Sequence, residues 1–215
     1  MRNIIITTNG GSGSSYISRK LKAQRKADVI FRNDVTVADD IVAVADKEAR
    51  GYFSKHRLHP MYHWEKYIAA MIKKHTYVVL GGGICNSPGW MSWATGHCVA
   101  FVRHPLWAME SLYYRRHPEY RNNYESLIDM ASHHGLFWNN VVSQVCECNI
   151  PVIRYEYAYA DAILKLSHKE KKLIDVMETI DSDRRGENLI PQDVQEYLRQ
   201  FVEKQYNKIY NAWEI

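Results

Sequence analysis

Asn3-Ile4-Ile5-Ile6-Thr7-Thr8-Asn9-Gly10-Gly11-Ser12-Gly13-Ser14-Ser15-Tyr16-Ile17 is the stretch on which the fold turns. Its β-branched first half, Asn3 to Thr8, predicts a short strand that stops at the glycines. From Ser14 to Lys26 helix-forming residues follow, with apolar Ile17 and Leu21 four apart. Strand, glycine loop, helix is the resulting order. A helix that starts straight out of such a turn leaves several backbone N–H groups without partners and aims them at one point. That point suits a phosphate or a sulfate. Gly10, Gly11 and Gly13 line it with backbone, and the hydroxyls of Ser12, Ser14 and Ser15 add donors. A flexible Gly/Ser turn or a plain helix cap is the alternative reading. The nucleotide-kinase pattern G-x-x-x-x-G-K-[ST] is not met, because no lysine follows Gly13.

Working outward, Asp28 to Arg32 reads as a second strand, and strands that follow short helices point to a parallel sheet with right-handed crossovers. Val35 to Leu58 fits a helix or a loop. Trp64 to His75 predicts a helix with Tyr67, Ile68, Met71 and Ile72 on one side. Thr76 to Leu80 and His97 to Val102 are apolar runs suited to inner strands buried on both faces. Between them lies the loop Gly81-Gly82-Gly83-Ile84-Cys85-Asn86-Ser87-Pro88-Gly89. A helix is expected near Pro105, whose fixed φ suits a first turn, and a long one from Tyr124 to Cys148. Pro151 to Tyr155 predicts another strand. The remainder reads as helical except for the polar loop Asp181 to Pro191, which contains Arg184-Arg185-Gly186, and it closes with an amphipathic helix from Gln192 to Trp213. There is no internal repeat. The expected architecture is a single α/β domain over residues 1–215, in three layers around a central parallel sheet, with a P-loop-like glycine turn after the first strand.

Composition sets the outer bounds. With 215 residues, 46% hydrophobic and 24% charged, the chain suffices for one sizeable core. No run of about 18 uncharged apolar residues occurs, and the first residues pass straight into turn residues, so a soluble, cytoplasmic protein with no membrane partner is expected. A net charge of +4 is too mild to argue for nucleic acid, although a local basic cluster would still serve a phosphate-bearing ligand. Cys85, Cys98, Cys146 and Cys148 form no C-x-x-C pair and no metal-ligand spacing, and are expected to be reduced.

A second element bears on the site. The strand ending Val99-Ala100-Phe101-Val102-Arg103 is followed by His104-Pro105 and a helix that carries Ser111. An arginine at a strand's carboxyl end grips a phosphate through two parallel N–H bonds, and ligands of open α/β sheets lie beyond those ends. An ordinary salt-bridge arginine is the alternative.

These residues together resemble the sulfotransferase family. Ser12-Gly13-Ser14-Ser15-Tyr16-Ile17 is similar to its 5′-phosphosulfate loop, S-G-T-T or S-G-T-S followed by an aromatic or apolar residue. Val102-Arg103-His104-Pro105 through Ser111 resembles its 3′-phosphate motif, in which a serine stands eight residues after the arginine. Val152-Ile153-Arg154-Tyr155-Glu156 resembles the family's strand ending in Tyr-Glu, a core element. Arg184-Arg185-Gly186 resembles its late basic-glycine loop. The four occur in the family's order. The resemblance implies transfer of a sulfuryl group from 3′-phosphoadenosine 5′-phosphosulfate (PAPS) to a hydroxyl or amine of a small-molecule or carbohydrate acceptor. The product would be 3′-phosphoadenosine 5′-phosphate. Gly10, Gly11, Ser12, Gly13, Ser14 and Ser15 would hold the 5′-phosphosulfate; Arg103, Ser111, Arg184, Arg185 and Gly186 would hold the 3′-phosphate. The alternatives are a nucleotide-binding module of the same fold with little or no transfer activity, and a P-loop kinase or NTPase.

The pattern breaks in two places. The family sets a lysine or arginine just before the Ser-Gly of the loop; this chain has Gly11. Its general base is a histidine or glutamate after the strand preceding the arginine strand, where this chain has Cys85-Asn86-Ser87-Pro88. The candidates for the base are therefore Cys85, whose thiol would need its pKa lowered, and His59 and His63 before the Trp64 helix, where His56 also lies. His133 and His134 belong to a long helix, and His104 reads as a turn residue. Tyr52, Phe53, Tyr62, Trp64, Trp90 and Trp93 flank the presumed acceptor side, as stacking surface or as core.

Overall fold

The computed structural model describes residues 4–7, 13–14, 17, 29–32, 35–38, 41–44, 47–58, 63–74, 77–80, 91–92, 95–114, 123–155, 189–210 and 213. At its centre lies a five-stranded sheet built from β1 (Ile4–Thr7), β2 (Val29–Arg32), β5 (Tyr77–Leu80), β6 (Cys98–Val102) and β7 (Val152–Arg154), every pair parallel, in the order β2-β5-β1-β6-β7. Sequence dictates why β1 is central. Ile4, Ile5 and Ile6 are all fully buried, so both faces of the strand are covered, as continuous apolar runs in parallel sheets are. The same holds for β6, buried from Cys98 through Val102. Ile5 stands in register with Val79 on one side and Val99 on the other. At the end of β1, the buried Thr7 hydroxyl donates to the Leu80 carbonyl at 3.0 Å, which satisfies a polar group that burial would otherwise penalise.

Val35 to Leu58, which fits helix or loop in the sequence, is neither throughout. β3 (Val35–Ala38) and β4 (Ile41–Val44) form a separate antiparallel pair, with Ala38 opposite Ile41. Helix α1 (Lys47–His56) follows. Among the described residues the other α-helices are α2 (Trp64–Lys74), α3 (Pro105–Met109), α4 (Tyr124–Glu147) and α5 (Gln192–Ile209), the last ending before the expected Trp213. The fold is thus three-layer α/β, as the sequence predicts. Among the described residues no helix is long and apolar enough to cross a membrane, and no group of His, Cys, Asp or Glu is arranged to hold a metal ion. Cys146 and Cys148 are free thiols.

Helices α4 and α5 lie side by side and run in the same direction. At their starts the Tyr124 hydroxyl donates to Asp193 at 2.5 Å, and near their ends the Gln205 side-chain amide donates to the Ser143 hydroxyl at 3.2 Å. Between these points Gly135 is pressed against the partner helix, where an added Cβ would stand 2.8 Å from Phe201 Cβ and 3.1 Å from Leu198 Cδ1. An alanine in an open helix would gain up to about 1 kcal/mol over glycine. Here the overlap reverses the sign, because Phe201 Cβ is tied to its backbone and cannot swing away. Gly135→Ala should cost about 1–3 kcal/mol in a denaturant titration, and a stabilised variant would contradict this helix contact.

Candidate functional site

Strand order fixes where a ligand would lie. The chain leaving β1 goes to β2 on the β5 side of the sheet, whereas the chain leaving β6 goes to β7 on the other side. The carboxyl ends of β1 and β6, neighbours through Thr7 and Phe101, therefore flank a topological switch point. Diverging connections open a crevice there, and open α/β sheets bind their ligands in it.

Two sequence elements singled out for anion binding end at this crevice. From the loop after β1, Gly13 is described at φ +81°, a conformation side chains disfavour, and its carbonyl accepts the Ile17 N–H at 2.9 Å. That bond opens a helical turn with Ser14 in its first position, where a helix's own geometry supplies no acceptor for the backbone N–H. From β6 comes Arg103, one residue past the last ladder residue. Tyr155, immediately after β7 and 7% exposed, joins the two. A Cβ on Gly13 would stand 2.4 Å from Tyr155 Cε2, and the Arg103 guanidinium carbon lies 5.3 Å from the centre of the same ring. The cation thus faces the π-cloud of a ring that the glycine turn touches.

The turn after Arg103 is built by side chains. His104 is the N-cap of α3, and its Nδ1 accepts the Leu106 N–H at 3.3 Å. Its ring is enclosed by Trp107, Tyr206, Tyr210 and Trp213, at centroid distances of 4.5 to 5.6 Å. Burial, and then the nearby Arg103 charge, push its pKa down to about 3, so it is a neutral structural imidazole. The sequence reading as a turn residue holds. From α4, the fully buried Trp138 donates its indole N–H to the Arg103 carbonyl at 2.9 Å, and His134 Nε2 donates to the Pro105 carbonyl at 3.0 Å. Burial takes His134 to a pKa of about 3 as well, against the opposing pull of that bond.

Beyond α3 the helix widens into a π-turn, Glu110–Tyr114, which carries the half-buried Ser111. Such irregular turns recur at functional sites. Glu110 beside it is buried and accepts the Leu189 N–H at 3.3 Å, tethering the described end of the polar loop next to Ser111. Leu189 follows Gly186 by three positions in the sequence.

Of the candidate bases, His63 is described. Helix α2 packs on β5 and leads directly into it, so it runs opposite to the strands and its first turn lies toward their carboxyl ends. His63 Nδ1 is 3.7 Å from the Glu65 carboxylate, with both side chains about one-third exposed. His59, Cys85, Gly10, Gly11, Ser12, Ser15, Arg184, Arg185 and Gly186 lie outside the described residues. Among the aromatics considered for stacking, Phe53 is core, 3% exposed and edge-on to Tyr52 at 5.6 Å; the Tyr52 hydroxyl donates to the Lys66 carbonyl. Tyr62, Trp90, Trp93 and the Trp64 side chain are outside the described set. His133 rests on its own helix, with Nδ1 2.8 Å from the Asp129 carbonyl oxygen.

What sequence reading missed is the support around Arg103. Tyr155 is core, as expected, but it is also the ring shared by the Gly13 turn and Arg103. Trp138 could have been placed on a buried face by its spacing with Leu127, Ala131, His134, Val141 and Val145. Its partner 35 residues earlier left no local signal. No protein-family model matches this chain, and no curated protein matches it either.

Proposed function

We propose that the chain is a sulfotransferase that moves a sulfuryl group from PAPS to a hydroxyl or amine acceptor. The reading is carried by one observation: the Gly13 turn and Arg103 leave neighbouring strands at the switch point of the sheet and meet the same Tyr155 ring. A donor with anionic groups at both ends, a 5′-phosphosulfate and a 3′-phosphate, calls for two such grips. Hydroxyls and backbone N–H groups around Ser14 would hold the first; Arg103 and Ser111, joined by Arg184, Arg185 and Gly186, would hold the second.

In the reaction the acceptor oxygen or nitrogen bonds to sulfur while the bond from sulfur to the bridging phosphate oxygen breaks. The electron pair stays on the phosphate, which leaves as 3′-phosphoadenosine 5′-phosphate, and the acceptor's proton passes to a base. His63 is the described candidate for the base, with the Glu65 carboxylate stabilising the imidazolium it would become. Held donors at the loop would stabilise charge on the leaving group.

A second reading, a nucleotide-binding module without transfer activity, is favoured by Gly11, which stands where a loop cation would neutralise that leaving oxygen. Both readings predict tighter binding of 3′,5′-adenosine bisphosphate than of Mg-ATP, measured by calorimetry, whereas a kinase or NTPase predicts the reverse. Sulfate transfer to phenol and sugar acceptors then separates enzyme from module. Arg103→Ala should weaken the bisphosphate by about 10- to 100-fold, the range of a charge-assisted hydrogen-bond pair, with Mg-ATP affected far less. An unchanged ratio of the two affinities would remove Arg103 from the site.

A further inference from the structure

We infer that Trp138 is a positioning residue for the anion site, setting the direction of the Arg103 guanidinium through a hydrogen bond to its main chain. The inference rests on the proposed 3′-phosphate grip and adds the device that aims it.

Where β6 ends, the backbone loses its ladder partners: the last paired residue is Val102, opposite Arg154. Carbonyls at such an exit must find other donors or face a desolvation cost. Of the four carbonyls from Val102 to Pro105, three are met by side chains, and that of His104 accepts the Ala108 N–H at 2.9 Å. Tyr210 of the segment after α5 donates its hydroxyl to the Val102 carbonyl at 3.3 Å, Trp138 donates to that of Arg103 at 2.9 Å, and His134 donates to that of Pro105 at 3.0 Å. His134 and Trp138 are four apart on one face of α4, so a single rigid helix sets two of the three bonds.

Trp138 is the most constrained of these. Its indole is fully buried, its N–H is a donor only, and its ring lies against Tyr206 with centroids 6.3 Å apart. The peptide that follows Arg103 is therefore fixed in orientation, while Tyr155 limits the guanidinium from its other end. A planar fork that must meet a phosphate with two parallel bonds tolerates little rotation, and small misplacements are costly to such a site.

Trp138→Phe tests this, since it removes the N–H and keeps most of the ring. Calorimetry is run with 3′,5′-adenosine bisphosphate and with 5′-AMP, which lacks the 3′-phosphate, on wild type, Trp138→Phe, Arg103→Ala and the double variant. The expected result is a loss of about 5- to 10-fold for the bisphosphate with AMP within about twofold, and no further loss when Trp138→Phe is added to Arg103→Ala. Equal weakening of both nucleotides, or full additivity with Arg103→Ala, overturns the inference. If Trp138→Phe does not fold, Tyr210→Phe, which frees the neighbouring Val102 carbonyl, is held to the same selectivity and coupling criteria. Wild-type protein that fails to prefer the bisphosphate over AMP overturns the 3′-phosphate reading itself, a result distinct from a failed cycle on a wild type that does prefer it.

Discussion

Gly13→Ala will destabilise the protein and, on the proposed sulfotransferase reading, weaken its hold on the nucleotide. Two costs add at this position. An L-residue held at φ +81° loses about 1–2 kcal/mol against glycine. The new Cβ would also stand 2.4 Å, 2.7 Å and 2.8 Å from Cε2, Cζ and Oη of Tyr155. That ring has little room to retreat, being 7% exposed and faced by the Arg103 guanidinium. Overpacking of this kind adds about 1–3 kcal/mol, so a total of roughly 2–5 kcal/mol is expected in equilibrium unfolding. Pushing Tyr155 aside also shifts the surface against which Arg103 rests, so affinity for the bisphosphate should fall in the fraction that remains folded. Placing Gly13→Ala in a Tyr155→Ala background separates the terms, because without the ring only the backbone cost of about 1–2 kcal/mol should remain. A single variant that melts and binds like wild type would show that the turn and the ring are not in contact.

How much of this was legible beforehand varied with the range of the interaction. Continuous apolar runs such as Ile4-Ile5-Ile6 and Val99-Ala100-Phe101-Val102 announce inner parallel strands, because burial on both faces abolishes the alternation that would make a half-exposed strand ambiguous. Val35 to Val44 was not readable in this way. Its pairs Val35 with Val44 and Val37 with Val42 form a short antiparallel ribbon apart from the main sheet, and such brief runs fit helix or loop equally well. Ser14, Arg103 and Ser111 were legible as residue types at a spacing. That Gly13 and Arg103 converge on one ring depends on β1 and β6 pairing across some ninety residues, which no local pattern encodes. His104 and His134 are instructive in the other direction. Sequence shows two titratable side chains near the site, and the fold removes both from chemistry by burying them.

That burial makes the folded state sensitive to acid. In the folded state both histidines have pKa values lowered from 6.5 to about 3, His104 by burial and then by Arg103, His134 by burial against the smaller effect of its Pro105 bond. The unfolded chain therefore takes up protons first, and stability that is complete above pH 6.5 is lost progressively as pH falls from there toward 3. Each site forfeits about 2 kcal/mol by pH 5 and about 4 kcal/mol by pH 3, so the pair removes a large share of a typical domain stability of about 5–15 kcal/mol. Protonation also strikes particular bonds: a proton on His104 Nδ1 abolishes the cap that accepts from Leu106. Chemical denaturation between pH 7 and 4 should show midpoints falling steeply below pH 6.5. His104→Asn keeps an N-cap acceptor and His134→Gln keeps an amide donor, so each should remove about half of that slope without abolishing folding at pH 7. Midpoints that stay level from pH 7 to 4.5 would mean that the two imidazoles are not buried as neutral groups, and the aromatic enclosure of the Arg103 turn would have to be redrawn.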